Sequence, residues 1–145
     1  MNKKIKDSFY DYSFNNDIDN LNKIINQYKI IPDIIKDQEE LLFLCVSLVM
    51  EKNENSLISI IENSFFDVSF NDFEFINTLC STDFFNCELK YYDLLKKVIR
   101  LPNIYNNINE IFINKIINEC HNYPSDPRLL ILFENLKKIK TINNF

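Results

Sequence analysis

Residues 39–62 read EELLFLCVSLVMEKNENSLISIIE, and this stretch decides the fold. Leu41, Leu42, Leu44, Cys45, Leu48 and Val49 recur at helical spacing. The run is apolar on more than one side, which predicts a helix buried between neighbours rather than lying on a surface. A pair of strands is the competing reading; Leu and Met favour helix, and the run is longer than most strands. Lys52-Asn53-Glu54-Asn55 then breaks the pattern, with Asn53 or Asn55 as a cap for the next helix. In that second segment Leu57, Ile58, Ile60 and Ile61 form one stripe, with Ser56, Ser59 and Glu62 opposite. So short a turn folds the second helix antiparallel on the first.

Working outward, 145 residues amount to a single domain, 1–145, able to bury about two thirds of its unfolded surface. The chain is 46% hydrophobic and 26% charged, with no apolar run near the roughly 20 residues that cross a bilayer. Its start, MNKKIKDSFYDY, carries lysines without the apolar core of a secretion signal, so a cytoplasmic protein with no membrane partner is expected. Gly, Ala and Trp are absent, while Ile and Asn number 22 each, the usage of an AT-rich gene. Without glycine, turns that need positive φ fall to Asn and Asp.

Charge is unevenly placed. From Asp33 to Glu88 twelve carboxylates face two lysines, a net −10, whereas residues 1–32 carry +1 and 89–145 carry +4. Such a block repels polyphosphate and attracts cationic proteins. The alternative is that the carboxylates serve solubility.

Taken in order, residues 5–14 form a short helix with Ile5, Phe9 and Tyr12 inward. Asp17 caps a second helix carrying Ile18, Leu21, Ile24, Ile25 and Tyr28, which Pro32 stops. Acid at Asp37, Glu39 and Glu40 suits the start of the central helix. After the aromatic connection 63–70, Asp72 caps a helix through Phe73, Phe75, Ile76, Leu79 and Cys80, followed by an irregular stretch to Cys87. A helix over 88–100 ends at Pro102, and another covers 110–119 with Ile111, Phe112, Ile116 and Ile117 inward. Asp126 and Pro127 open the last helix as cap and first residue, and Leu129, Leu130, Leu132, Phe133, Leu136 and Ile139 fill its apolar side.

The pattern repeats. Asp17-Ile-Asp-Asn-Leu21-Asn-Lys-Ile24-Ile25 returns 36 residues later as Asn53-Glu-Asn-Ser-Leu57-Ile-Ser-Ile60-Ile61, and 38 after that as Tyr91-Tyr-Asp-Leu-Leu95-Lys-Lys-Val98-Ile99. A weaker fourth copy lies near Leu132–Leu136. A period of this size points to stacked helix pairs. Over about 39–69 the residues resemble the ankyrin repeat: Leu41–Leu48 as its leading helix, Asn53–Ile61 as its turn and second helix, Glu62–Ser69 as its closing loop. Ser64 and Cys45 stand where that family has glycine and alanine, the Thr-Pro opening is missing, and the spacing exceeds about 33 residues. The expected fold is all-α, built of stacked antiparallel helix pairs as an ankyrin-like solenoid, or otherwise a helical bundle.

Catalytic motifs are lacking. Cys45, Cys80, Cys87 and Cys120 contain no C-x-x-C pair and read as reduced thiols. His121 is the one histidine; beside Cys120 on a helix end it suits the dipole's negative pole better than a base, and one histidine makes no multi-histidine site. Asp37 with Glu39, and Glu110 with Glu119, are carboxylate pairs with nothing to single them out. A glycine-rich phosphate loop is excluded. No cofactor, no metal and no enzymatic activity are expected.

What remains is binding. The acidic centre suggests a protein that docks a basic partner through Glu39, Glu40, Glu51, Glu54, Asp67, Asp72 and Glu74. In general character such a small acidic chain is similar to bacterial immunity proteins, which cover a toxin's active site, often that of a basic nuclease. An ankyrin-like scaffold from an AT-rich eukaryote or virus is a second expectation. A third is an RNA-binding domain using Lys90, Lys96, Lys97, Arg100, Lys115, Arg128 and the terminal lysines 137, 138 and 140, with Tyr91 and Tyr92, although two arginines in an acidic chain are a weak nucleic-acid footprint.

Overall fold

The structure, a computed structural model, describes residues 3–28, 37–63, 66–83 and 85–143. Among these the fold is all-α, with one isolated antiparallel bridge, Thr82 to Leu89. The chain divides into two compact units, residues 1–70 and 71–145. The stop at Pro32 and the expected closing-turn residue Ser64 lie outside the described residues.

The first unit holds α1 (Lys3–Phe14), α2 (Ile18–Tyr28), α3 (Gln38–Met50) and α4 (Glu54–Asn63). Within it α1 packs on α2, α3 on α4, and α4 on both α2 and α1. Leu41, Leu42, Leu44, Cys45, Leu48 and Val49 are all buried, as their spacing requires, and so are Phe9, Leu21, Ile25, Leu57, Ile60 and Ile61. Two expectations need correction. α3 is not covered all round, because Phe43 and Met50 stand 73% and 67% exposed. Conversely, Ser56 and Ser59 on the polar side of α4 are buried. The first helix pair arrives on that side and satisfies them. Asn16 Oδ1 accepts from the Ser56 N–H (3.1 Å) and hydroxyl (3.0 Å), and the Ser59 hydroxyl donates to Asn22.

Both pairs turn in the same way. After α1, the Asn16 N–H donates to the Ser13 carbonyl (3.3 Å) and the Asp17 N–H to the Tyr12 carbonyl (2.9 Å). Thirty-six positions later, the Lys52 N–H donates to Val49 (3.2 Å) and the Asn53 N–H to Leu48 (2.9 Å). This pair of bonds is the Schellman ending, which places one residue in the left-handed region. Asn16 takes it at φ 54° and Lys52 at φ 60°. The turn after α3 therefore uses a lysine where asparagine was expected. Asn53, free of that duty, donates its side-chain amide to the Phe14 carbonyl (2.9 Å) and ties the two turns together. Because a Cβ disfavours this backbone, Lys52→Gly is expected to stabilise the first unit by about 1 kcal/mol. Urea denaturation measures it, and an unchanged or lower midpoint would contradict the left-handed assignment.

The second unit contains α5 (Phe70–Leu79, beginning in the first unit's last residue), α6 (Tyr92–Val98), α7 (Pro102–Tyr105), α8 (Glu110–Asn122) and α9 (Pro127–Asn143), with α8 packed on α9. Asp72 does not cap α5 as expected. Asn71, Asp72 and Phe73 form a left-handed turn at φ 53°, 56° and 60°, and the Asp72 carbonyl accepts from the Asn77 amide (3.0 Å). Such a turn costs about 1–2 kcal/mol per residue. Burial of Phe73, whose ring stacks on Phe112 at 4.5 Å, opposes that cost.

The expected helix over 88–100 is shorter. Leu89 is in the bridge to Thr82, and the Glu88 carbonyl accepts from Asp83 (2.6 Å), so regular helix begins at Tyr92. Pro102 opens α7 at its first turn, a place where a missing N–H costs nothing. Asn109 caps α8 by accepting from the Phe112 N–H (2.8 Å). Phe112, Ile116, Leu129, Phe133 and Leu136 are buried as expected, joined by Ile113, whereas Ile111 and Ile139, also expected inward, are exposed.

Candidate functional site

The start of α3 is the most organised acidic surface of the first unit. Asp37, extended at φ −117° and ψ 124°, caps the helix by accepting from the Glu39 N–H (3.0 Å). Carboxylates belong in this first turn because the helix dipole and the free N–H groups favour negative charge there. The loop after α4 returns to the same end. Gln38 Oε1 accepts from the Asp67 N–H (3.0 Å), and Asp67 closes its own turn through the Ser69 N–H (3.0 Å) and hydroxyl (2.6 Å). Asp37, Glu39 and Asp67 all stand exposed at this end.

Glu40 points the other way, toward α1. Its carboxylate lies 2.5 Å from Lys6 Nζ and accepts from the Tyr10 hydroxyl (2.6 Å). The Lys6 bond, helped by Tyr10, holds the carboxyl below its ordinary range. Burial, reinforced by the adjoining carboxylate, pushes the Tyr10 hydroxyl upward. Glu40 is therefore held ionised, paired with Lys6, and bridges α1 and α3.

The seven carboxylates singled out from the sequence fall into three groups. Glu39 and Asp67 share the start of α3 with Asp37, while Glu40, at the same end, turns to Lys6 and Tyr10. Glu51 and Glu54 lie at the opposite end of α3, about 18 Å away along the helix, with Lys52 between them. Asp72 and Glu74 belong to the second unit, both exposed.

Sequence reasoning missed the apolar part of this surface. Between α1 and α3 lies an open cavity of about 430 Å³, lined by Tyr10, Phe14 and Phe43 and by Asp37, Glu39 and Glu40. Phe14 is 41% exposed, and the Tyr10 and Phe14 rings stack with centroids 6.5 Å apart. A faint signal existed: a helix apolar on every side needs neighbours on every side, and α1 supplies aromatics at an i, i+4 spacing toward it.

The other chemical candidates are quiet. Burial raises the thiols of Cys45, Cys80 and Cys120, away from the thiolate a nucleophile needs. All four cysteines are free. His121 is exposed in the last turn of α8. Among the described residues no group of three or more His, Cys, Asp or Glu is placed to hold a metal ion, and no helix is long and apolar enough to cross a membrane.

Several cations of the second unit are engaged within it. Arg128 pairs with Asp126 (2.7 Å) and lies 4.2 Å from the Tyr92 ring centroid. Lys96 also lies over Tyr92, at 5.5 Å, and Lys140 donates to the Tyr105 carbonyl over that residue's ring.

Fold and surface together define an all-α chain with an acidic, partly aromatic face on its first unit. No family model, no curated protein and no solved structure matches it.

Proposed function

We propose that this is a non-enzymatic binding protein that docks a basic protein through the acidic end of α3. The observation that carries the reading is the convergence of Asp37, Glu39 and Asp67, from two separate segments, on one exposed helix end, with Lys6 already paired to Glu40. Exposed carboxylates gathered at one helix end steer the approach of a cationic partner. The most specific form of the reading is an immunity-type inhibitor, whose carboxylates occupy the phosphate-binding groove of a basic nuclease toxin. A second reading, a helix-pair repeat scaffold of ankyrin-like type, is favoured by the identical turns 36 residues apart. An RNA-binding role is weakened by the internal engagement of Arg128, Lys96 and Lys140.

The test begins with a pull-down of basic proteins from the source cells, then measures association kinetics. Reversing charge at Glu39 and Asp67 is expected to slow association about tenfold at low salt and to flatten its salt dependence. The matching reversal at Glu51 and Glu54 is expected to do less. Rates and salt slopes unchanged by both pairs would remove the acidic face as the docking surface.

A further inference from the structure

The solvent face of α3 carries more than charge. Glu39, Phe43 and Met50 stand at i, i+4 and i+11, which on a helix is a single stripe. Acid stands at the two ends of α3, Asp37 and Glu39 at one and Glu51, the residue after Met50, at the other, about 18 Å apart. Halfway along, the stripe opens sideways into the cavity between α1 and α3, where Phe14 and Tyr10 supply the far wall. Glu40, which accepts from the Tyr10 hydroxyl (2.6 Å), bridges the two helices at that opening. Phe43 and Met50, 73% and 67% exposed, thus share one helix face beside a groove.

We propose that this groove and stripe seat an amphipathic helix of a cationic protein, with a bulky apolar side chain entering between Phe14 and Phe43 and Lys or Arg residues about three turns apart meeting Glu39 and Glu51. The inference rests on the reading of the acidic end of α3 as a docking surface, and deepens it by naming what part of the partner is held. Charge complementarity selects the occupant. The carboxylates edging the groove repel an acidic helix and an anionic bilayer, while a purely apolar segment leaves them desolvated and unpaired. Helix-in-groove recognition uses this combination of spaced apolar anchors and flanking charge.

The probes are two labelled 14-residue synthetic helices of the same amphipathic pattern, one of leucine and lysine, the other of leucine and glutamate. Fluorescence anisotropy with the full chain is expected to show binding of the first and not of the second. Phe43→Ser is expected to weaken binding at least tenfold, Glu39→Lys about fivefold at low salt, and Ile142→Ser, an exposed apolar residue of the second unit, not at all. Because Phe43 is exposed, the thermal transition of its variant is expected to match that of the unaltered chain; Met50→Gln repeats the test if it does not.

Absence of binding to the lysine peptide, or equal binding of both peptides, overturns the proposal. So does loss on Glu39→Lys without loss on Phe43→Ser, an outcome that leaves the acidic docking surface standing and removes only the groove. Insensitivity to both substitutions removes the two readings together. Sedimentation that shows the free protein self-associating, with Phe43→Ser abolishing the association, makes a second copy the occupant and also overturns it.

Discussion

Replacing Asp126 by alanine is expected to destabilise the second unit by about 3 kcal/mol. Asp126 is only 5% exposed, and its carboxylate does three things at once. Oδ1 caps α9 by accepting from the Arg128 N–H (3.0 Å), Oδ2 accepts from the buried Leu89 N–H (3.0 Å), and both oxygens receive the Arg128 guanidinium. Losing the cap costs about 1 kcal/mol. Leaving the Leu89 N–H without an acceptor costs about 1–3 kcal/mol more. The ion pair itself adds little, since Arg128 is 45% exposed and water screens it.

The same geometry sets a pH dependence. Arg128, with the Leu89 and Arg128 N–H groups, holds the Asp126 carboxyl well below the usual carboxylate range, against the opposing effect of burial. A depressed folded pKa means stability that is fully present above the unfolded value, about 4, and lost as pH falls below it. Asp126→Asn keeps an acceptor oxygen but not the charge. Its thermal midpoint is expected to be lower than the unaltered protein's at pH 7 and to converge with it toward pH 2. Parallel curves over that range would show that the charge of Asp126 contributes nothing.

Leu57→Ala is expected to cost the first unit about 3 kcal/mol, within the range of about 2–5 kcal/mol for leucine truncation in a packed core. Leu57 is fully buried, and so is Leu21, its counterpart 36 residues earlier. The two helices that carry them, α4 and α2, pack on each other, so neither site can collapse into solvent. Leu21→Ala is expected to match Leu57→Ala closely, while Ile58→Ala, at a half-buried position next door, is expected to cost under about 1 kcal/mol. Denaturant midpoints decide this. Equal, small losses at all three positions would mean that the helix pairs do not bury these leucines.

Such a series also separates what local periodicity reveals from what it hides. The buried set of α3, from Leu41 to Val49, follows from spacing alone, because a helix places i, i+3, i+4 and i+7 on one face whatever lies opposite. Spacing says nothing of how many faces find a neighbour. Phe43, left out of that inward set, is exposed on the rim of the cavity whose other wall is Tyr10 and Phe14, and the spacing along α3 gave no sign of that cavity. Ser56 and Ser59 look like surface and are buried because Asn16 and Asn22 come from another helix pair to bond them.

The candidate face was half visible for a related reason. Charge is a property of composition, so the acidic middle of the chain was plain, whereas proximity is a property of the fold. Tertiary structure brought Asp67 to the helix end that carries Glu39, sent Glu51 to the far end of α3, turned Glu40 toward Lys6 and Tyr10, and carried Asp72 and Glu74 into the second unit.

By itself, then, the amino-acid order determined the helical class, the doubled 36-residue turn and the Asp126-Pro127 start of α9, since each depends on residues within a few positions of one another. The left-handed backbone at Asn71 to Phe73, the Leu89 bridge and the aromatic groove were decided only in three dimensions. There, burial and hydrogen bonds from distant segments outweigh the one or two kcal/mol of local preference that a sequence pattern expresses.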